Sequence, residues 1–180
     1  MMRLLPLLAL VTACTSDPAP PATTDAPEAK TDTTWQTAEV ILPGRPGEPA
    51  MLMGVRVGLH NEGAPAYDRV VFDVDRGEPK ATIGYVETPV QACGSGTPLQ
   101  PEGAAALQIR LLGAQAHTDA GEATVAHSRE AHDQPAILET LPTCDFEGEV
   151  TWVLGLDDEV PFRAFWLQDP LRLVVDVQHP

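Results

Sequence analysis

The run Val70-Val71-Phe72-Asp73-Val74 sets its largest apolar side chains two residues apart. Successive side chains of an extended strand point to opposite faces, so Val70, Phe72 and Val74 line one face and Val71 and Asp73 the other. The same period recurs outward from this run. Upstream, Val55, Val57 and Leu59 alternate with Arg56 and Gly58; downstream, Ile83 and Tyr85 share a face between Lys80 and Glu87. Leu107, Ile109 and Leu111 alternate with Gln108 and Arg110, and Ile137 and Leu141 mark a shorter segment. Val150, Trp152 and Leu154 come next, then residues 162–167, then Leu173, Val175 and Val177. Gly77-Glu78-Pro79 and Leu156-Asp157-Asp158 are typical of the punctuation between them. About eight short strands divided by turn signals predict an all-β domain, an antiparallel β-sandwich or barrel. The spacing of Phe162 and Phe165 predicts a bulge that buries both rings and turns Trp166 to solvent.

Composition agrees with one such domain and appendages. Of the 180 residues, 43% are hydrophobic, enough for a core, and 18 prolines with 14 glycines argue against a helical bundle. The formal net charge of −15 repels phosphate backbones and anionic headgroups alike. Nucleic acid is therefore not an expected partner, and any membrane attachment has to be covalent or hydrophobic.

The N-terminus offers such an attachment. Met1-Met2-Arg3 precedes the apolar run from Leu4 to Val11, the layout of a secretory leader. That run is well short of the roughly 20 residues that span a bilayer. Val11-Thr12-Ala13-Cys14 resembles a bacterial lipobox, which implies removal of residues 1–13 and lipid on the Cys14 thiol. Acyl chains, at about 0.8 kcal/mol per buried methylene, would then hold the protein to a membrane. Residues 14–39 are rich in Pro, Ala, Thr and Asp, without apolar periodicity, and read as a flexible tether with Trp35 as its lone aromatic. As a loose coil of about 25 residues it reaches on the order of 25–30 Å. The folded domain is expected over residues 40–180.

With Cys14 assigned to lipid, Cys93 and Cys144 remain. Exported proteins usually pair such cysteines, and closing a loop of about 50 residues stabilises a fold by roughly 4 kcal/mol through chain entropy. A catalytic thiol is the rival reading, but the sequence offers it no Cys–His arrangement.

Other chemistry is sparse. There is no Gly-x-Ser-x-Gly elbow, no His-Glu-x-x-His pair and no phosphate-cradling loop. Asp157-Asp158-Glu159 lacks the spaced ligands of a calcium loop and reads as a solvated turn. The long connection 115–135 carries His117, His127 and His132 among carboxylates, but spacings of ten and five match no metal motif. No catalysis, cofactor or metal is expected.

Three segments in order carry a resemblance. They are Tyr67-Asp68-Arg69-Val70-Val71-Phe72; Cys144-Asp145-Phe146-Glu147-Gly148 running into Val150–Leu156; and Pro161-Phe162-Arg163-Ala164-Phe165 followed by Arg172–Val177. Together they resemble the AMIN-like domain of bacterial exported proteins and lipoproteins, over roughly residues 55–177. The resemblance implies a β-sandwich related to the AMIN domain, which targets envelope enzymes and pore proteins to peptidoglycan. By analogy, the expected partner is peptidoglycan or another envelope polysaccharide; the alternative is docking on an envelope protein, for instance along a strand edge. Tyr67, Arg69, Arg163 and Trp166 are the candidate ligand residues, since sugars take aromatic faces and planar polar groups. Against this, Tyr67 can be core, and Arg69 and Arg163 can pair with Asp73 or Asp176. The net acidity implies that stacking and hydrogen bonding, not bulk charge, carry any binding to an anionic wall.

Overall fold

A computed structural model of the chain describes residues 34–45 and 47–180. The leader, Cys14 and most of the tether lie outside the described residues. In chain order the strands are β1 (Val40–Leu42), β2 (Ala50–His60), β3 (Tyr67–Asp75), β4 (Lys80–Tyr85), β5 (Val90–Gln91) and β6 (Pro98–Leu99). They continue as β7 (Ala105–Leu112), β8 (Ala114–Gln115), β9 (Glu130–Ala131), β10 (Ile137–Phe146), β11 (Glu149–Leu156), β12 (Phe162–Leu167) and β13 (Arg172–Gln178). A six-stranded sheet runs β1-β4-β7-β11-β10-β9, and a five-stranded sheet runs β12-β13-β3-β2-β8. Pairing is antiparallel except between β2 and β8, where the chain changes sheets at Gly113. The all-β sandwich expected from the alternation is therefore present, with added short edge strands.

The inner faces follow the period-two pattern. Val70, Phe72 and Val74 of β3 and Leu173, Val175 and Val177 of β13 meet Ile109, Leu111, Trp152 and Leu154 in one buried cluster. Phe72 and Trp152 touch edge to face across the layer, with centroids 6.2 Å apart, and Tyr85 meets Phe162 likewise at 5.8 Å. In β2 a bulge leaves Met53 out of register between Leu52 and Gly54, so the inward set shifts from Ala50 and Leu52 to Val55 and Val57. Arg56, Gly58 and His60 are thereby sent to the outside.

The two outer faces differ. On the six-stranded sheet, the excursion carrying β5 and β6 covers a second cluster of Val90, Ala106, Leu141 and Val153. Cys93 of this excursion is bonded to Cys144 of β10, with α-carbons 5.1 Å apart, as the pairing argument expected. The outer face of the five-stranded sheet has no such cover among the described residues. It carries its own side chains and one strap from the N-terminal side, where Gln36 forms a β-bridge with Phe162.

Candidate functional site

That open face is a grid set by strand register. Crossing from β2 to β12, one row reads Gly58, Arg69, Asp176, Arg163, and the next reads Arg56, Val71, Val174, Phe165. A third row reads Gly54, Asp73, Arg172, Leu167, and His60, Tyr67 and Gln178 form the end row. Two charged rows thus enclose one that is apolar apart from Arg56 at its β2 end.

Asp176 organises the first charged row. It is fully buried, and its Oδ1 accepts from Arg69 Nε at 2.6 Å while Oδ2 accepts from Arg69 Nη2 at 3.0 Å and Arg163 Nε at 2.7 Å. The hydrogen bond to Asp176 raises the Arg69 pKa further above its ordinary value, against the opposing effect of burial. One carboxylate shared by two guanidiniums leaves the group with one uncompensated positive charge.

Aromatic rings surround these cations. The Arg163 guanidinium lies 4.5 Å from the Trp35 ring centre, 5.1 Å from Tyr67 and 5.9 Å from Phe165. Arg69 lies 5.4 Å from Tyr67 and 5.7 Å from Phe165. His60 stacks on Tyr67 with ring planes 10° apart, and Trp35 leans on the same ring at 5.7 Å. Each contact is a cation–π or ring–ring attraction of about 0.5–2 kcal/mol.

The structure brings three of the four candidate residues together. Tyr67, Arg69 and Arg163 share this face, and Asp176 is the partner that both arginines use, whereas Asp73 pairs with Arg56. Trp166 is the correction. Strand β12 pairs with β13 without a bulge, so Phe162, Ala164 and Trp166 point inward and Arg163 and Phe165 point outward. Trp166 is 9% exposed and packs in the main core, with its Nε1 buried and unpartnered. Phe165 escapes water without the core because the two guanidiniums roof it. Sequence reasoning did not single out His60, Phe165, Arg56 or Arg172 for this face; strict alternation through 162–167 was the available signal for Phe165.

Elsewhere, polar side chains fasten loops. Asp68, between Tyr67 and Arg69, points to the other side, fully buried, and accepts from Ala136 N at 2.8 Å and Ile137 N at 3.0 Å, with His179 Nε2 2.8 Å away. In the 115–135 connection, His117 Nδ1 lies 2.7 Å and His127 Nε2 3.6 Å from Asp145 Oδ2, while Thr124 donates to the Leu52 carbonyl. Among the described residues no group of three or more His, Cys, Asp or Glu could hold a metal ion.

A family model for the AMIN-like domain matches residues 50–179, from β2 to the residue after β13. The chain belongs to the AMIN-like domain family. Searches of curated proteins and of solved structures give no match. AMIN-like domains are generally non-catalytic binding modules of envelope proteins, which gives this chain an envelope-related, extracytoplasmic setting connected with peptidoglycan. The match includes β2, β3, β12 and β13, so the charged and aromatic grid belongs to the AMIN-like domain, with Trp35 added from outside the matched residues.

Proposed function

We propose that this AMIN-like protein is a non-enzymatic envelope lipoprotein that binds peptidoglycan or another envelope polysaccharide through the open face of its five-stranded sheet. Lipid on Cys14 would hold it to a membrane after loss of residues 1–13, with residues 14–39 as a tether whose Trp35 and Gln36 dock on the binding domain of residues 40–180. The observation that carries this reading is the concentration of Trp35, Tyr67 and Phe165 around Arg69 and Arg163 on the face that, among the described residues, no other strand layer covers. Rings offer flat apolar faces to sugar C–H groups, and guanidiniums donate to hydroxyls and carboxylates. A second reading, strand addition by an envelope protein, draws on β12, whose outer edge is paired among the described residues by Gln36 alone.

Sedimentation of the full chain with purified cell-wall sacculi tests the first reading. The parent should pellet with the sacculi, and Trp35→Ala and Tyr67→Ala should each weaken retention about tenfold, as for loss of one stacking anchor. Equal retention of parent and variants, or none at all, overturns it. For the anchor, a Cys14→Ser variant should leave the membrane pellet on fractionation; its persistence there would refute lipid attachment.

A further inference from the structure

The second charged row makes a site of its own. Asp73 gives both carboxylate oxygens to Arg56, at 2.9 Å from Nε and 2.7 Å from Nη2. Arg172 stands opposite Asp73 in register, yet among the described residues the sole hydrogen-bond partner of its guanidinium is the Pro170 carbonyl, 3.2 Å from Nε. The open face therefore holds four guanidiniums (Arg56, Arg69, Arg163 and Arg172) against three carboxylates (Asp73, Asp75 and Asp176), on a protein whose formal net charge is −15. A groove of about 250 Å³ lies between the two charged rows, with Arg56, Arg69 and Arg172 on its walls and Val71, Val174 and Leu167 along its floor. Gly58 borders it, and a Cβ there would stand in open space.

We infer that this groove is a subsite for a free carboxylate on a short aliphatic peptide attached to the glycan, received by the terminal nitrogens of Arg172. The inference rests on the glycan reading above and adds to it a charged, non-sugar component. A guanidinium with its fork unoccupied matches a carboxylate in shape and charge. The aliphatic floor suits methyl-bearing residues, and the sugar platform lies on the neighbouring aromatic rows, because no phenyl or indole ring lines the groove. Arg172 adds positive charge beside the uncompensated Arg69–Arg163 pair, and together they orient an anionic ligand towards this side of an otherwise acidic protein.

The test uses the full chain and three preparations of cell wall: native sacculi, sacculi with carboxylates converted to neutral amides, and glycan enzymatically freed of its peptides. The variant is Arg172→Gln, which breaks no ion pair among the described residues, and its urea midpoint should match the parent's. The parent should bind native sacculi about tenfold more tightly than amidated ones, the loss expected for one charge-assisted hydrogen bond. Arg172→Gln should lose that advantage on native sacculi and equal the parent on the other two preparations. Equal binding of native and amidated walls by the parent overturns the carboxylate subsite while leaving the glycan reading intact. A difference between parent and variant that persists on peptide-free glycan overturns the peptide assignment, because its carboxylates then lie on the sugar. Absence of binding to all three overturns both.

Discussion

Replacing Asp176 by asparagine should destabilise the protein far more than replacing either arginine it holds. The Asp176 carboxylate is fully buried, takes three hydrogen bonds from two cations, and is opposed on both flanking strands by guanidiniums that are 23% and 21% exposed. An amide of the same shape removes the negative charge and puts an NH2 group against a donor. Breaking a buried pair from one side typically costs about 3–5 kcal/mol, and here two cations lose their partner together. Arg163→Gln is gentler. Arg69 still engages both carboxylate oxygens, so the buried charge stays compensated, and one charge-assisted hydrogen bond with its ring contacts is lost, about 1–2 kcal/mol after allowing for partial exposure. Urea unfolding followed by tryptophan fluorescence at neutral pH should separate the variants by about 2 kcal/mol. Asp176→Asn should melt roughly 10 °C below the parent, given about 2–4 °C per kcal/mol at this chain length. Adding Arg163→Gln to Asp176→Asn should restore part of the loss by relieving repulsion between the guanidiniums. Equal costs for the two single variants, or an Asp176→Asn cost below about 1 kcal/mol, would refute the account of the row as one shared buried carboxylate.

Further expectations concern stability away from the grid. Reducing the Cys93–Cys144 bond, which spans 51 residues, should lower the unfolding free energy by up to about 4 kcal/mol; an unchanged urea midpoint in reductant would contradict it. Tyr85 donates to the Val160 carbonyl at 2.6 Å and accepts from Val160 N–H at 3.0 Å, and burial pushes its phenol up to about 12. Because the fold favours the protonated phenol, that contribution stands in full below pH 10 and is lost as pH rises towards 12. The phenolate absorbance missing from Tyr85→Phe should accordingly appear in the parent near pH 12; its appearance near pH 10 would count against the buried phenol. Trp166→Phe should cost under about 1.5 kcal/mol, because it removes an unpartnered N–H along with some volume, whereas Trp166→Ala should cost about 3–5. Trp166→Phe should also bind sacculi as the parent does, and a selective loss of binding would place that ring at the ligand after all.

Alternation alone made the sandwich legible, because a strand buried on one face must repeat its apolar residues every second position, as Val70, Phe72 and Val74 do. It became misleading where one assumption was added, that Phe162 and Phe165 both need the core. An outer face can bury a ring under arginine stems, so Phe165 needed no bulge and Trp166 stayed inside. In β2 the bulge at Met53 shifted the inward set, a local irregularity that periodicity does not forecast. Tyr67, Arg69 and Arg163 were legible one at a time, but their meeting was not. It depends on β13 lying between β3 and β12, which strand spacing leaves open. Net charge hid the most informative feature, since a total of −15 gives no hint that four arginines gather on one sheet face. The histidines of 115–135 were visible as a polar loop; that two of them converge on Asp145 depends on β10, a separate strand.

The central claim is that one face of one sheet does the binding, and backbone amide chemical shifts of the isotope-labelled chain test it most directly. Titration with soluble cell-wall fragments should move the amides of Tyr67, Arg69, Val71, Phe165, Val174 and Asp176 together, saturating with one dissociation constant. Shifts confined to the six-stranded sheet or to the 115–135 loop, with the arginine and aromatic rows unmoved, would contradict it.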